Sequence, residues 1–344
     1  MIDNLSLELI VNQININQIL KSKIKRILIT GVGGFIGNYL LAALMSVRSK
    51  KFEIFGIDRA KPDLNFENIN NHLFKFYQKD LSIIRKINLP NKLDLIIHLA
   101  GIPSPTYYKK YPLKTFYLNS DLTKILLERS KIDNSKMIYF SSSEIYGNPE
   151  KKFIPTKESY NGNVSSIGER SCYDESKRSG ETYSYIYKNY YNVDCKIIRP
   201  FNFYGNGMKE NDKRIIPQFF SNCVNSKDLI VFNKGTQTRS YCNIIDAVPI
   251  MLSIIFCGKS FVYNVGNDSE EISALNIGKK IKSIFKKKLY IKKKPYPKSY
   301  PSDEPKRRCP DLQKLRNEFN YKPKVSLDIG LKLFKDYALN YFKK

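Results

Sequence analysis

Tyr173 and Lys177 stand four residues apart in the stretch SCYDESKRSG, residues 171–180. On a helix that spacing puts both side chains on one face. A cation beside a phenol stabilises the phenolate and lowers a pKa that starts near ~10. The pair is therefore expected to form a base able to take a proton from a sugar hydroxyl near neutral pH. A surface tyrosine next to a surface lysine has the same spacing, so the assignment needs company elsewhere in the chain.

That company is GVGGFIG, residues 31–37, where Gly31, Gly34 and Gly37 recur every third position and Phe35 and Ile36 open a helical pattern. Glycines let the backbone approach a pyrophosphate, and the first N–H groups of a helix face the same anion. Asp58 follows about 20 residues later, at the end of the next strand pattern, where a carboxylate can accept from a ribose diol. Its charge repels a 2′-phosphate, so NAD is favoured over NADP. Strand, glycines, helix, strand and terminal acid, in that order, specify a dinucleotide site.

These groups have to be carried by a sheet. KRILITG (25–31), FEIFGID (52–58), LDLIIHLAG (93–101), KMIYFSSSE (136–144) and CKIIRPFNFYG (195–205) are short runs rich in β-branched and aromatic residues. Helical patterns separate them, the first from Phe35 to about Arg48. Such alternation predicts an α/β fold of Rossmann type, a doubly wound parallel sheet. Residues 1–23 read as an extension holding a short helix packed on the outside. Residues 24–205 form the NAD-binding domain, with a returning segment near 241–265. Residues 206–240 and 266–344, including the loop-like NGMKENDKRIIPQ and NKGTQTRSYCN, form a smaller substrate lobe.

Composition narrows the class. The formal net charge is +26, yet the lysines are spread along the chain without a nucleic-acid module signature, so no nucleic-acid partner is expected and an anionic substrate suits the field. Six cysteines (172, 195, 223, 242, 257 and 309) contain no CxxC pair, and there are two histidines. Neither a disulfide framework nor a metal site is expected. His98 reads as pocket lining and His72 as a surface residue. No signal peptide and no apolar run of membrane-spanning length is visible, so a cytoplasmic protein with no membrane partner is expected.

The glycine motif and YxxxK together resemble the extended short-chain dehydrogenase/reductase superfamily of NAD-dependent epimerases and dehydratases, from residue 24 nearly to the end. The resemblance implies that Asp80 and Leu81 lie by the adenine and that Leu99 and Ala100, in HLAG, line the cofactor. It makes Tyr173 the base, Lys177 its partner and a ribose ligand, and Ser142 the group that holds the hydroxyl being oxidised. Within the superfamily, SSSEIYG (141–147) is informative. Epimerases usually lack an acid at Glu144, and 4,6-dehydratases carry Asp where Ser143 stands. Ser143-Glu144 resembles the UDP-glucuronate decarboxylases, as do residues 102–119, 161–178, 235–248 and 303–312. That resemblance implies Arg308 for the substrate carboxylate and Asn202, Arg214 and Arg239 for the nucleotide diphosphate. Cys309 departs from it, standing where these enzymes usually have a third arginine. The implied partner is a nucleotide sugar, UDP-glucuronate or a relative, and the implied assembly a homodimer through helices near 115–130 and 174–190. The alternatives are an NDP-sugar 4,6-dehydratase or a 4-epimerase.

Overall fold

The computed structural model describes residues 2–47, 49–63, 73–84, 89–90, 92–297 and 305–342. Arg48, His72, Asp303 and Glu304 lie outside the described residues. The first part of the chain runs β1 (Arg26–Thr30), α3 (Phe35–Met45), β2 (Glu53–Asp58), β3 (Phe74–Gln78), β4 (Leu95–His98), α4 (Pro105–Lys110), α5 (Pro112–Asn119), α6 (Asp121–Asp133), β5 (Lys136–Phe140), α7 (Ser171–Tyr191) and β6 (Cys195–Pro200), after helices α1 (Asn4–Val11) and α2 (Ile16–Lys21). Beyond it come β7 (Phe203–Tyr204), α8 (Ile215–Val224), β8 (Leu229–Phe232), β9 (Thr238–Ser240), β10 (Cys242–Asn243), α9 (Ile244–Cys257), β11 (Val262–Val265), β12 (Glu271–Ser273), α10 (Ala274–Phe285), β13 (Ile291–Lys294), β14 (Arg307–Arg308), α11 (Gln313–Phe319) and α12 (Leu327–Tyr341).

The main sheet has seven parallel strands in the order β11-β6-β5-β4-β1-β2-β3. Its inner strands are near-continuous apolar runs because both faces are covered. In β1, Ile27 and Ile29 enter the core shared with α1, α3 and α9, while Leu28 enters the one on the α5, α6 and α7 side. The chain moves outward through β2 and β3, then returns to the other side of β1 with β4. That reversal opens a crevice at the carboxyl ends of β1 and β4, where open α/β sheets bind ligands. A second core, around Phe219, Phe220, Ile277 and Phe334, binds α8, α10 and α12 into the C-terminal lobe. There β12-β9-β14 form one small sheet and β13-β8 another.

Four sequence expectations change. The N-terminal extension forms two helices, not one, and they are not mere outer packing: Ile10 and Ile19 are buried in the main core. Gln13 donates to the Ile245 carbonyl at 3.4 Å, and Asn206 Nδ2 donates to Asp3 at 2.8 Å and to Ser6 Oγ at 3.2 Å. Tyr39 donates its hydroxyl to the Asn206 carbonyl at 2.9 Å, so the extension is tied to the loop that follows β7. The helix expected over 115–130 is broken at Ser120, whose hydroxyl turns back onto the Phe116 carbonyl at 2.7 Å. The two loop-like stretches contain the start of α8 and the strands β9 and β10. Finally, β3 escapes the sequence reading because it is an edge strand with little buried surface, so it carries no apolar run.

Candidate active site

The turn after β1 is shaped by crowding. Gly31 has φ +76°, and a Cβ there would stand 2.6 Å from the Ala100 nitrogen. A Cβ on Gly37 would lie 2.3 Å from the Gly31 carbonyl oxygen. Gly34, which caps α3, is different: its nearest obstacle is 3.1 Å away. At Gly33, which the three-residue spacing skips, a Cβ would stand 2.2 Å from the Ala60 carbonyl oxygen, and the Gly33 N–H donates to Asp58 Oδ2 at 2.9 Å. The other Asp58 oxygen accepts from the Ala60 N–H at 3.0 Å. Asp58 is thus aimed by backbone donors at the end of β2. Phe35 packs edge-on against Tyr39, and Ile36 against the main core, at the start of α3.

Opposite, Leu99 and Ala100 follow β4, and the Gly31 turn approaches their backbone. His98 is fully enclosed between Thr30 Oγ1 (2.7 Å) and the Leu118 carbonyl (3.1 Å), and burial pushes its pKa down to about 3, so the ring is neutral. Asp80 is occupied locally: Oδ1 accepts from Ser82 N–H at 2.9 Å and Ser82 Oγ at 2.6 Å, and Lys114 lies 3.7 Å away. Leu81 beside it is buried. A cradle that excludes side chains, a helix start and an oriented carboxylate at a strand end together fit NAD.

Tyr173 and Lys177 project from one face of α7 into the same buried region, but the electrostatics differ from expectation. Burial pushes the phenol well above its usual range; a hydrogen bond with Ser142 pulls the other way. Lys177 lies 5.9 Å from the Tyr173 ring centroid and donates to the Phe140 carbonyl at 2.7 Å. Burial lowers Lys177 to about 7, with Glu181 opposing.

Ser142 caps the short 3₁₀ turn Ser143–Tyr146 by accepting from the Glu144 N–H at 3.2 Å, which fixes the direction of Glu144; Ser143 is buried in that turn. Both Glu144 oxygens accept from the Arg308 fork, each at 2.6 Å, and Oε2 also pairs with Arg170. Burial alone would raise the Glu144 pKa, but Arg170, Arg308 and Arg239 hold it well below the usual carboxylate range. Arg308 in β14 stands in register with Arg239 in β9. Asn202, at φ +45°, donates to the Ser240 carbonyl at 2.9 Å, at the end of β9. Arg214 instead pairs with Asp212 and rests its guanidinium 5.9 Å from the Phe35 ring.

Sequence reasoning did not single out Arg170 or Asp174. Arg170 lies three residues before Tyr173 and donates Nε to Asp174 Oδ2 at 3.3 Å. Burial and the nearby Glu144 raise Asp174. Tyr108 of α4 stacks on Tyr173 with ring centroids 5.2 Å apart. The Arg–x–x–x–Asp spacing across the start of α7 was the available signal for the first pair.

Comparison with known proteins decides the lineage. The model of the NAD dependent epimerase/dehydratase family matches residues 27–266. The chain belongs to that family. This epimerase/dehydratase chain is 33% identical to UDP-glucuronic acid decarboxylase 6 of Arabidopsis thaliana over 315 residues, covering 90% of the chain and 88% of that protein. It is 32% identical to UDP-glucuronic acid decarboxylase 1 of Danio rerio, over 93% of the chain and 73% of that protein. Among solved structures it resembles the UDP-glucuronic acid 4-epimerase from Bacillus cereus in complex with UDP-glucuronic acid and NAD, at TM-score 0.76 and 28% identity, covering 91% of this chain and 98% of that one. NAD is the cofactor of this epimerase/dehydratase family member. Among the described residues, no helix is long and apolar enough to cross a membrane.

Proposed function

We propose that the protein decarboxylates UDP-glucuronate through oxidation at C4, giving UDP-xylose or its 4-keto precursor. The observation that carries the reading is the guanidinium cluster of Arg170, Arg239 and Arg308 around Glu144, next to Tyr173 and Ser142. Such a cluster suits a substrate that brings its own carboxylate. The decarboxylase relatives support it.

Each residue then has a task. NAD, when bound, would accept the hydride from C4 and, where UDP-xylose is the product, return it to C4 after carbon dioxide has left. Tyr173 takes the O4 proton, and Ser142, already on its hydroxyl, aligns the substrate oxygen. Lys177 contributes positive charge beside the base and a ribose contact. A ketone at C4 is β to the C6 carboxylate, so the C5–C6 bond can break, releasing carbon dioxide and leaving the electron pair as an enolate across C4 and C5. Arg308 binds that carboxylate beforehand, while Glu144 and Ser143 orient it and oversee the proton that reaches C5. Asp58 selects NAD by repelling a 2′-phosphate. Asn202, Arg214 and Arg239 take the diphosphate. With all six cysteines as free thiols, a reducing cytoplasm is the fitting setting. A homodimer through α6 and α7 completes the reading, supported by the exposed Ile132, Tyr185 and Tyr190 on those helices; sedimentation as a monomer at micromolar concentration would remove it.

The test is to follow carbon dioxide and reduced cofactor together with UDP-glucuronate. Tyr173→Phe should abolish both signals. Glu144→Gln should still form reduced cofactor while carbon dioxide release falls by about two orders of magnitude or more. Wild-type decarboxylation rates in Glu144→Gln would refute its role. Conversion of UDP-glucuronate to its 4-epimer without carbon dioxide would select the epimerase reading. A 4-keto-6-deoxy product from an NDP-hexose would select the dehydratase.

A further inference from the structure

Glu144 is held by two guanidiniums with different mountings. Arg308 sits on β14, a two-residue strand whose ladder partner is β9, and spends both Nη groups on Glu144. Among the described residues its buried Nε meets no hydrogen-bond partner, leaving a donor beside the cluster. Arg170 sits immediately before α7, the 21-residue helix that also carries Tyr173 and Lys177. It is 4% exposed, and Asp174 one turn on holds its Nε. The geometry points to Arg170 as a positioning residue that keeps Glu144 paired and aimed while Arg308 turns its fork to the substrate carboxylate. This rests on the decarboxylase reading, which places that carboxylate at Arg308.

The end-on fork of Arg308 holds one carboxylate at a time. A substrate carboxylate that takes that fork removes two of the charge-assisted bonds on Glu144, and one that docks side-on through Nε still adds a like charge nearby. Without another cation, Glu144 would take up a proton or swing away. Arg170 supplies that cation from the same rigid helix as the base, so the direction of Glu144 relative to Tyr173 survives substrate binding. The groups facing Glu144 are Arg170, Asp174 and Tyr173 from the α7 segment, Arg308 from β14, Arg239 from β9 and Tyr108 from α4. Arg170 pairs with both Glu144 and Asp174.

The experiment compares Arg170→Gln, Arg170→Lys and Arg308→Gln with the parent, all with bound NAD confirmed. Arg170→Gln should lower kcat for carbon dioxide release about 100-fold, as for a misplaced catalytic group, with KM nearly unchanged. Its acid limb should move upward by about 1–3 pH units. Arg308→Gln should instead raise KM. Arg170→Lys, which keeps the charge without the planar fork, should recover part of kcat and carries the test if the Gln variant does not hold NAD. Parent-like kcat in both Arg170 variants, or a loss confined to KM, overturns the proposal. Titration of the Glu144 carboxyl by its infrared band, with Glu144→Gln as the reference, needs no turnover. An upward shift in Arg170→Gln supports the pairing, and an unchanged titration overturns it. A parent protein that shows this titration yet ignores UDP-glucuronate overturns the functional reading instead.

Discussion

Adding one methyl group to the turn after β1 should have very unequal consequences at two of its glycines. At Gly31 the backbone is left-handed, φ +76°, which costs a side-chain-bearing residue about 1–2 kcal/mol. The new Cβ would also press on the Ala100 nitrogen at 2.6 Å and the Leu99 carbonyl carbon at 2.7 Å. Both are main-chain atoms at the end of β4 and cannot rotate away, so an overpacking cost of about 1–3 kcal/mol is added. Gly31→Ala should thus lose about 2–5 kcal/mol in all, a fall of about 3–7 °C in Tm. Because the strain opens the crevice between β1 and β4, NAD affinity should drop by about tenfold or more, the equivalent of about 1.4 kcal/mol. Gly34→Ala is the control. Its backbone is extended, its nearest obstacle is 3.1 Å away, and the cost should stay within about 1 kcal/mol. Calorimetry of NAD binding and thermal melts on the two variants decide the matter. Equal damage at both positions would show that the turn is ruled by the motif spacing and not by the approach to Ala100.

Two further outcomes follow from buried groups. The folded pKa of Asp174 is raised from its ordinary 3.8 to about 7, so its contribution to stability is fully present below about pH 4 and is lost as pH rises toward and through neutrality. Asp174→Asn should flatten that dependence and exceed the parent in Tm most clearly above pH 7, read by melts from pH 4 to 8; a parallel pair of curves would contradict this. Ile10→Ala removes a fully buried side chain of α1 and should cost about 2–5 kcal/mol in denaturant unfolding, whereas Leu5→Ala, on the exposed face of the same helix, should stay within about 0.5 kcal/mol. Equal effects would mean that α1 is not part of the cooperative core.

The legible parts of this molecule are those where local chemistry and global position agree. β1, its glycine turn, α3 and β2 were readable because a doubly covered strand must be apolar and a crowded turn must lack Cβ atoms. β3 was not readable, since an edge strand bears neither signal. The rise in the Tyr173 phenol pKa was hidden because spacing reports which groups share a face but not how much water reaches them. Arg170 was missed for a similar reason: its pairing with Glu144 spans 26 residues and that of Arg308 with Glu144 spans 164, and no local pattern encodes either.

The N-terminal clamp has a consequence for the order in which the chain can be completed during synthesis. α1 leaves the ribosome well before its partners, because the main-chain acceptor for Gln13 lies 232 residues downstream, and Asn206, which meets Asp3, lies 203 residues downstream. At about 5–20 residues per second, those partners arrive roughly 10–50 s later. Until then Ile10 and Ile19 have no α9 to cover them. For that interval the nascent chain carries an uncovered apolar segment, which makes it a natural binding site for a holding chaperone.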